Sequence, residues 1–64
     1  MNPDVMYVLE KQLPAPLENE WEATGFFKSV QNAYQAFDRG HGHRRLRAQF
    51  DCFNGVKSYV VNQV

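Results

Sequence analysis

RRLRAQFDCFNGVKSYVVNQV, residues 44–64, consists of two alternating runs joined by Asn54-Gly55. In the first run Leu46, Ala48, Phe50 and Cys52 alternate with Arg45, Arg47, Gln49 and Asp51, the period of a half-buried strand. Asn-Gly between two such runs is a strong hairpin signal, because a type I′ turn needs positive φ at both central residues. A turn centred there predicts Phe53 opposite Val56, Phe50 opposite Tyr59 and Ala48 opposite Val61, which keeps the apolar sets of both strands on one face. The opposite face is then expected to carry Phe53, Val56 and Val60 beside Arg47, Gln49, Asp51 and Ser58.

Upstream of this hairpin lies a helix. Ser29 is a good N-cap, and Val30, Ala33, Tyr34 and Phe37 fall at i, i+3, i+4 and i+7, so one stripe faces a core. Arg39 complements the dipole of the last turn, and Gly40 is placed to end the helix in the left-handed conformation. Further back, VMYVLEKQL (5–13) is rich in β-branched and aromatic residues and is stopped by Pro14 and Pro16. This predicts a first strand with Tyr7, Leu9 and Leu13 on one face and Met6 and Val8 on the other. After the loop PAPLEN, the segment EWEATGFF (20–27) alternates Trp21, Ala23 and Phe27 with Glu20, Glu22 and Thr24, and Gly25 marks a bulge or the strand's end. Trp21 is expected to anchor the core beside the helix stripe.

The order strand, strand, helix, strand, strand predicts one α+β domain over residues 1–64. Its simplest form is a four-stranded antiparallel sheet in the order 2-1-3-4 with the helix packed on one face. An alternative displaces the first hairpin and completes the sheet with another chain.

A chain of 64 residues buries only about 60% of the surface that its unfolded form exposes, so stability is expected to be marginal. Cys52 is the single cysteine and cannot form an internal disulfide, which suits a reducing cytosol. No apolar run approaches the roughly 20 residues that span a bilayer, and MNPDVMYVLE lacks the pattern of a signal peptide, so a cytoplasmic location is expected. Net charge is zero, which argues against a general polyanion binder. The distribution is lopsided, however: up to Glu22 five acids face Lys11, whereas from Ala23 onward six bases face Asp38 and Asp51.

Candidate chemistry is sparse. His41 and His43 have an H-x-H spacing, but a structural zinc needs about four ligands and only Cys52 and acids such as Asp38 could add to them, so solvated loop histidines are the better reading. Cys52 lies on a predicted core face amid phenylalanines and reads as packing rather than as a nucleophile. Glu18, Glu20 and Glu22 read as solvated, with nothing to mark one as a desolvated general acid. No phosphate-binding loop follows Gly40 or Gly42. No catalytic residue, metal or cofactor is therefore assigned.

The stretch RGHGHRRLR, Arg39 to Arg47, is the richest in functional residue types. Its arginines could neutralise phosphates while Phe50 or Phe53 stacks on bases; alternatively, Arg45 and Arg47 pair across strands with Glu10, Glu20 or Glu22. The YVLE strand, the E-W-E strand, the capped S-V-Q-N-A helix and the final Asn-Gly hairpin together resemble small phage and prophage products. That resemblance is one of architecture and covers most of the chain. It implies an inhibitor-type protein, anti-CRISPR proteins among them, that binds a host protein or ribonucleoprotein complex.

These readings converge on a non-catalytic binding protein using Arg44, Arg45, Arg47, His41, His43 and Phe53, with nucleic-acid binding through residues 39–47 as the alternative. The last strand, VKSYVVNQV, carries no proline and one lysine, so its edge is open, and Val56 and Val60 are expected at a homodimer contact.

Overall fold

The computed structural model describes residues 4–64; residues 1–3 of the expected domain lie outside the described residues. The elements are β1 (Val5–Gln12), β2 (Trp21–Phe27), α1 (Val30–Arg39), β3 (Arg44–Cys52) and β4 (Gly55–Gln63). All neighbouring strands are antiparallel and the sheet order is β2-β1-β3-β4, as the alternation of strands and helix predicts.

The helix forms where its caps direct it. Ser29 accepts a hydrogen bond from the Asn32 N–H at 3.3 Å, and the amphipathic stripe turns Ala33 and Phe37 onto the sheet. There they meet the fully buried Leu46, with Tyr7, Leu9, Phe27 and Tyr34 packed around them. Gly40 ends the helix, but at φ −73° and not in the left-handed region. A Cβ on Gly40 would stand 2.5 Å from Cδ and 2.7 Å from Nε of Arg44. A Cβ at this position would force the Arg44 side chain to shift.

Two inserted residues change which side chains share a face. In β2 the register passes from Leu9↔Gly25 to Glu10↔Ala23, so Thr24 is the extra residue of a bulge and its hydroxyl donates to the Leu9 carbonyl at 3.1 Å. Phe27 therefore joins Tyr7 on the helix side, while Trp21 and Ala23 turn to the opposite face. Trp21 is not the core anchor that simple alternation predicts.

In β4 the register passes from Leu46↔Asn62 to Arg47↔Val60, with Val61 the extra residue. The hairpin itself also differs from expectation. Cys52 pairs with Gly55, Phe50 with Lys57 and Ala48 with Tyr59, two positions away from the predicted register, and Phe53-Asn54 form the turn. Within the hairpin Gly55 alone has positive φ, at 118°, and no non-glycine residue has positive φ among the described residues. A shift of two preserves the faces, so Val56, Ser58 and Val60 still lie on the side away from the helix and Phe50 still meets Tyr59 edge-on, rings 6.2 Å apart.

The helix lies across β1, β2 and β3 and makes no contact with β4 among the described residues. One ten-residue helix thus covers three strands of one face, and among the described residues no layer covers the other face. The result is a thin molecule, 41 × 26 × 14 Å.

Candidate docking face

Opposite the helix, β1 contributes Met6, Val8, Glu10 and Gln12, and β2 contributes Trp21, Ala23 and Phe26. β3 adds Arg45, Arg47, Gln49 and Asp51, and β4 adds Val56, Ser58 and Val60. At the centre Glu10, only 6% exposed, sits in register with Arg45 and next to Arg47. Arg45 Nε donates to Glu10 Oε1 at 2.7 Å, and an Arg47 terminal nitrogen donates to Oε2 at 3.2 Å. A carboxylate this enclosed is tolerable because both of its oxygens accept charge-assisted hydrogen bonds. Of Glu10, Glu20 and Glu22, the acids expected to pair with these arginines across strands, Glu10 is the one that does so among the described residues.

The triad extends sideways. Arg45 places its guanidinium 4.3 Å from the Trp21 ring centre, so the indole flanks the ion pair as a cation–π partner. Arg47 also donates to Ser58 Oγ at 3.4 Å, which ties β3 to β4, while its buried Nε has no protein partner among the described residues. Val8, between Phe26 and Arg47 in register, is 1% exposed although no layer covers this face among the described residues.

Around this rigid centre stands an apolar periphery. Phe26 is 65% exposed, Val56 62% and Val60 46%. Phe26 is a residue that sequence reading missed, although two successive aromatics in a strand must place one on each face. It also lines a hollow of about 710 Å³ at the end of the sheet, with Met6, Tyr7, Lys28, Val30 and Phe50 among its walls.

The other sequence-derived candidates are dispersed. Arg44 points to the helix side, where its Nε donates to the Phe37 carbonyl at 2.6 Å and its guanidinium stacks 4.7 Å from the Phe37 ring. His41 and His43 are exposed in the loop before β3, and Phe53 is fully exposed in the hairpin turn. Cys52, half-buried, lies at the far end of the strand that follows His43, roughly 30 Å away at about 3.3 Å per residue, so the two cannot share an ion.

Among the described residues, no group of three or more His, Cys, Asp or Glu side chains is placed to hold a metal, and no helix is long and apolar enough to cross a membrane. No protein-family model, curated protein or solved structure matches the chain.

Proposed function

We propose that this protein is a non-catalytic binding module that docks on another macromolecule, and modulates it, through the sheet face opposite the helix. The observation that carries this reading is the composition of that face: exposed Phe26, Val56 and Val60 around an ordered centre of Glu10, Arg45, Arg47 and Trp21. A buried, hydrogen-bonded polar centre with aromatic and apolar residues about it is the pattern that concentrates binding energy at protein interfaces, where Trp, Tyr and Arg lead. Rigidity adds to the case, because side chains already held in place lose little entropy on docking.

The partner is a protein surface, of a host protein or ribonucleoprotein complex in line with the resemblance to phage inhibitors. Direct nucleic-acid binding through residues 39–47 is the weaker reading, since Arg45 and Arg47 already share a carboxylate and Arg44 caps a helix. Phosphate contacts need free cations.

The experiment is affinity capture from a bacterial host with wild type and Phe26→Asp in parallel. The expected result is a stoichiometric protein partner retained by wild type and lost with Phe26→Asp, whose circular dichroism stays native. Equal retention by both would overturn the face assignment, and recovery of nucleic acid alone would favour the alternative.

A further inference from the structure

The second surface is the outer edge of β4; it shares Val56 and Val60 with the docking face, but it rests on backbone geometry and not on the docking reading. Arg44 and Val64 exchange reciprocal backbone hydrogen bonds at 3.2 and 2.9 Å, and Gln12 N–H donates to the His43 carbonyl at 3.1 Å. In an antiparallel ladder alternate residues turn both backbone groups to the same side. The β1–β3 register runs without a bulge, so the even-numbered residues of β3 bond to β4 and the odd-numbered ones to β1. Tyr59 and Lys57, opposite Ala48 and Phe50, therefore spend their backbone groups on β3, whereas Val56, Ser58 and Val60 direct theirs outward.

That edge is regular from Gly55 to Val60, the bulge at Val61 ending the run. It contains no proline and one lysine, little of the protection that exposed edges ordinarily carry. The opposite edge is different: β2 is interrupted by the Thr24 bulge and carries Glu22.

The surface area indicates how much is uncovered. A monomer of 7.4 kDa should expose about 4200 Å² by the usual size scaling, and this chain exposes 4915 Å². Its radius of gyration is 12.4 Å against about 10.7 Å for a compact chain of this length. The excess of about 700 Å² is surface that the single helix leaves uncovered, on the open face and along the β4 edge together.

We infer that a second copy of this chain pairs antiparallel along β4, with Ser58 on the two-fold axis, to make a continuous eight-stranded sheet. In that register Ser58 exchanges backbone hydrogen bonds with its own counterpart and Val56 with Val60 of the other copy, using all three outward residues. Val56 and Val60 meet on the open face, and Lys57 lies opposite Tyr59 on the helix side. A register two residues shorter would oppose the two Lys57 ammonium groups, and like charges directly opposite destabilise a sheet. The helix leaves this strand clear, so two copies approach without collision between their helices.

Two measurements test the inference. Sedimentation velocity of wild type across the micromolar range is expected to give twice the single-chain mass, and Val60→Lys, with native circular dichroism, the single-chain mass. Wild type at 7.4 kDa throughout would overturn the dimer, and a Val60→Lys that stays folded and dimeric would overturn its placement on β4. The second measurement needs no disruptive variant. Hydrogen-bonded antiparallel pairs stand about 5.5 Å apart at Cα, inside the range a disulfide bridges. In a Cys52→Ser background, Ser58→Cys is expected to form a covalent dimer under mild oxidation and Val56→Cys none. The reverse pattern, or no covalent product from Ser58→Cys, would overturn the register.

Discussion

Arg44 donates its Nε to the carbonyl oxygen of Phe37 at 2.6 Å and holds its guanidinium 4.7 Å from the centre of the same residue's ring. The arginine that begins β3 thus closes the C-terminal end of α1, where the carbonyl of Phe37 also receives the Gly40 N–H at 3.2 Å. Helix end and strand start are joined through one side chain. This fixes the His41–His43 loop between them, which also accepts a hydrogen bond at the Gly42 carbonyl from an Arg44 terminal nitrogen at 2.9 Å.

Removing that link should cost stability. Arg44→Ala loses a charge-assisted hydrogen bond to a half-buried carbonyl and a cation–π contact, together about 1–2 kcal/mol. Gly40→Ala should destabilise too, because its Cβ would occupy the space of the Arg44 Cδ, 2.5 Å away. In the Arg44→Ala background that collision is gone and the backbone at φ −73° suits alanine, so only the tight 3.3 Å approach of the Cβ to the Phe37 carbonyl oxygen remains, and Gly40→Ala should cost less than it does in wild type. Urea denaturation of the four proteins in a double-mutant cycle measures the coupling. Simple additivity would show that the two residues do not interact.

Glu10 is the counterpart on the open face. Glu10→Gln leaves Arg45 and Arg47 without their shared carboxylate, and the cost should be about 2–3 kcal/mol, less than for a fully buried pair because both arginines retain some solvent. Arg45→Ala should cost less, since Glu10 keeps Arg47. The same variant carries a second readout. Oligonucleotide binding at low salt should increase in Glu10→Gln relative to wild type and fall steeply with added salt, because two guanidinium groups become free for phosphate. Unchanged stability in Glu10→Gln would mean that the triad contributes nothing.

Trp21 is the single tryptophan and lies on the same face, so its fluorescence reports on the proposed docking surface. Arg45→Ala should red-shift the emission by admitting water to the ring while circular dichroism stays native. Val30→Ala, on the helix side, should leave the emission unmoved. A native-like spectrum in Arg45→Ala would disprove the stacking.

The element order and sheet order were legible because each strand announces itself by a period of two and the helix by its caps and its i, i+3, i+4, i+7 stripe. What periodicity conceals is an inserted residue. Trp21, Ala23 and Phe27 alternate in the sequence as if on one face, yet the Thr24 bulge puts Trp21 and Phe27 on opposite faces. Gly25 hinted at irregularity but not at which side each aromatic would take. The basic cluster was legible as a patch and not as three separate roles. Arg44 shares the alternation of Leu46 and Ala48 and so belongs to the helix side, whereas Arg45 and Arg47 fall on the other, beside a glutamate 35 and 37 residues away that only the strand order brings near.

The hairpin offers the sharpest distinction between sequence pattern and structure. Asn54-Gly55 in a type I′ turn would place both residues at positive φ, and replacing either with alanine would then introduce strain. Here Phe53 and Asn54 form the turn, and Gly55, paired with Cys52, is the one hairpin residue with positive φ, at 118°. No neighbour approaches within 4 Å of where a Gly55 Cβ would stand, so any penalty there comes from backbone conformation and not from crowding. Gly55→Ala should therefore destabilise by about 1–3 kcal/mol, the ordinary cost of holding a residue with a Cβ in a sparsely populated region. Asn54→Ala should stay within about 0.5 kcal/mol of wild type, as exposed substitutions without strain do. Thermal denaturation of the two variants decides between the turns: equal losses would restore the Asn-Gly turn and with it the register in which Phe50 faces Tyr59, whereas loss in Gly55→Ala alone fixes Phe50 opposite Lys57 and leaves Ser58 with its backbone groups on the free edge.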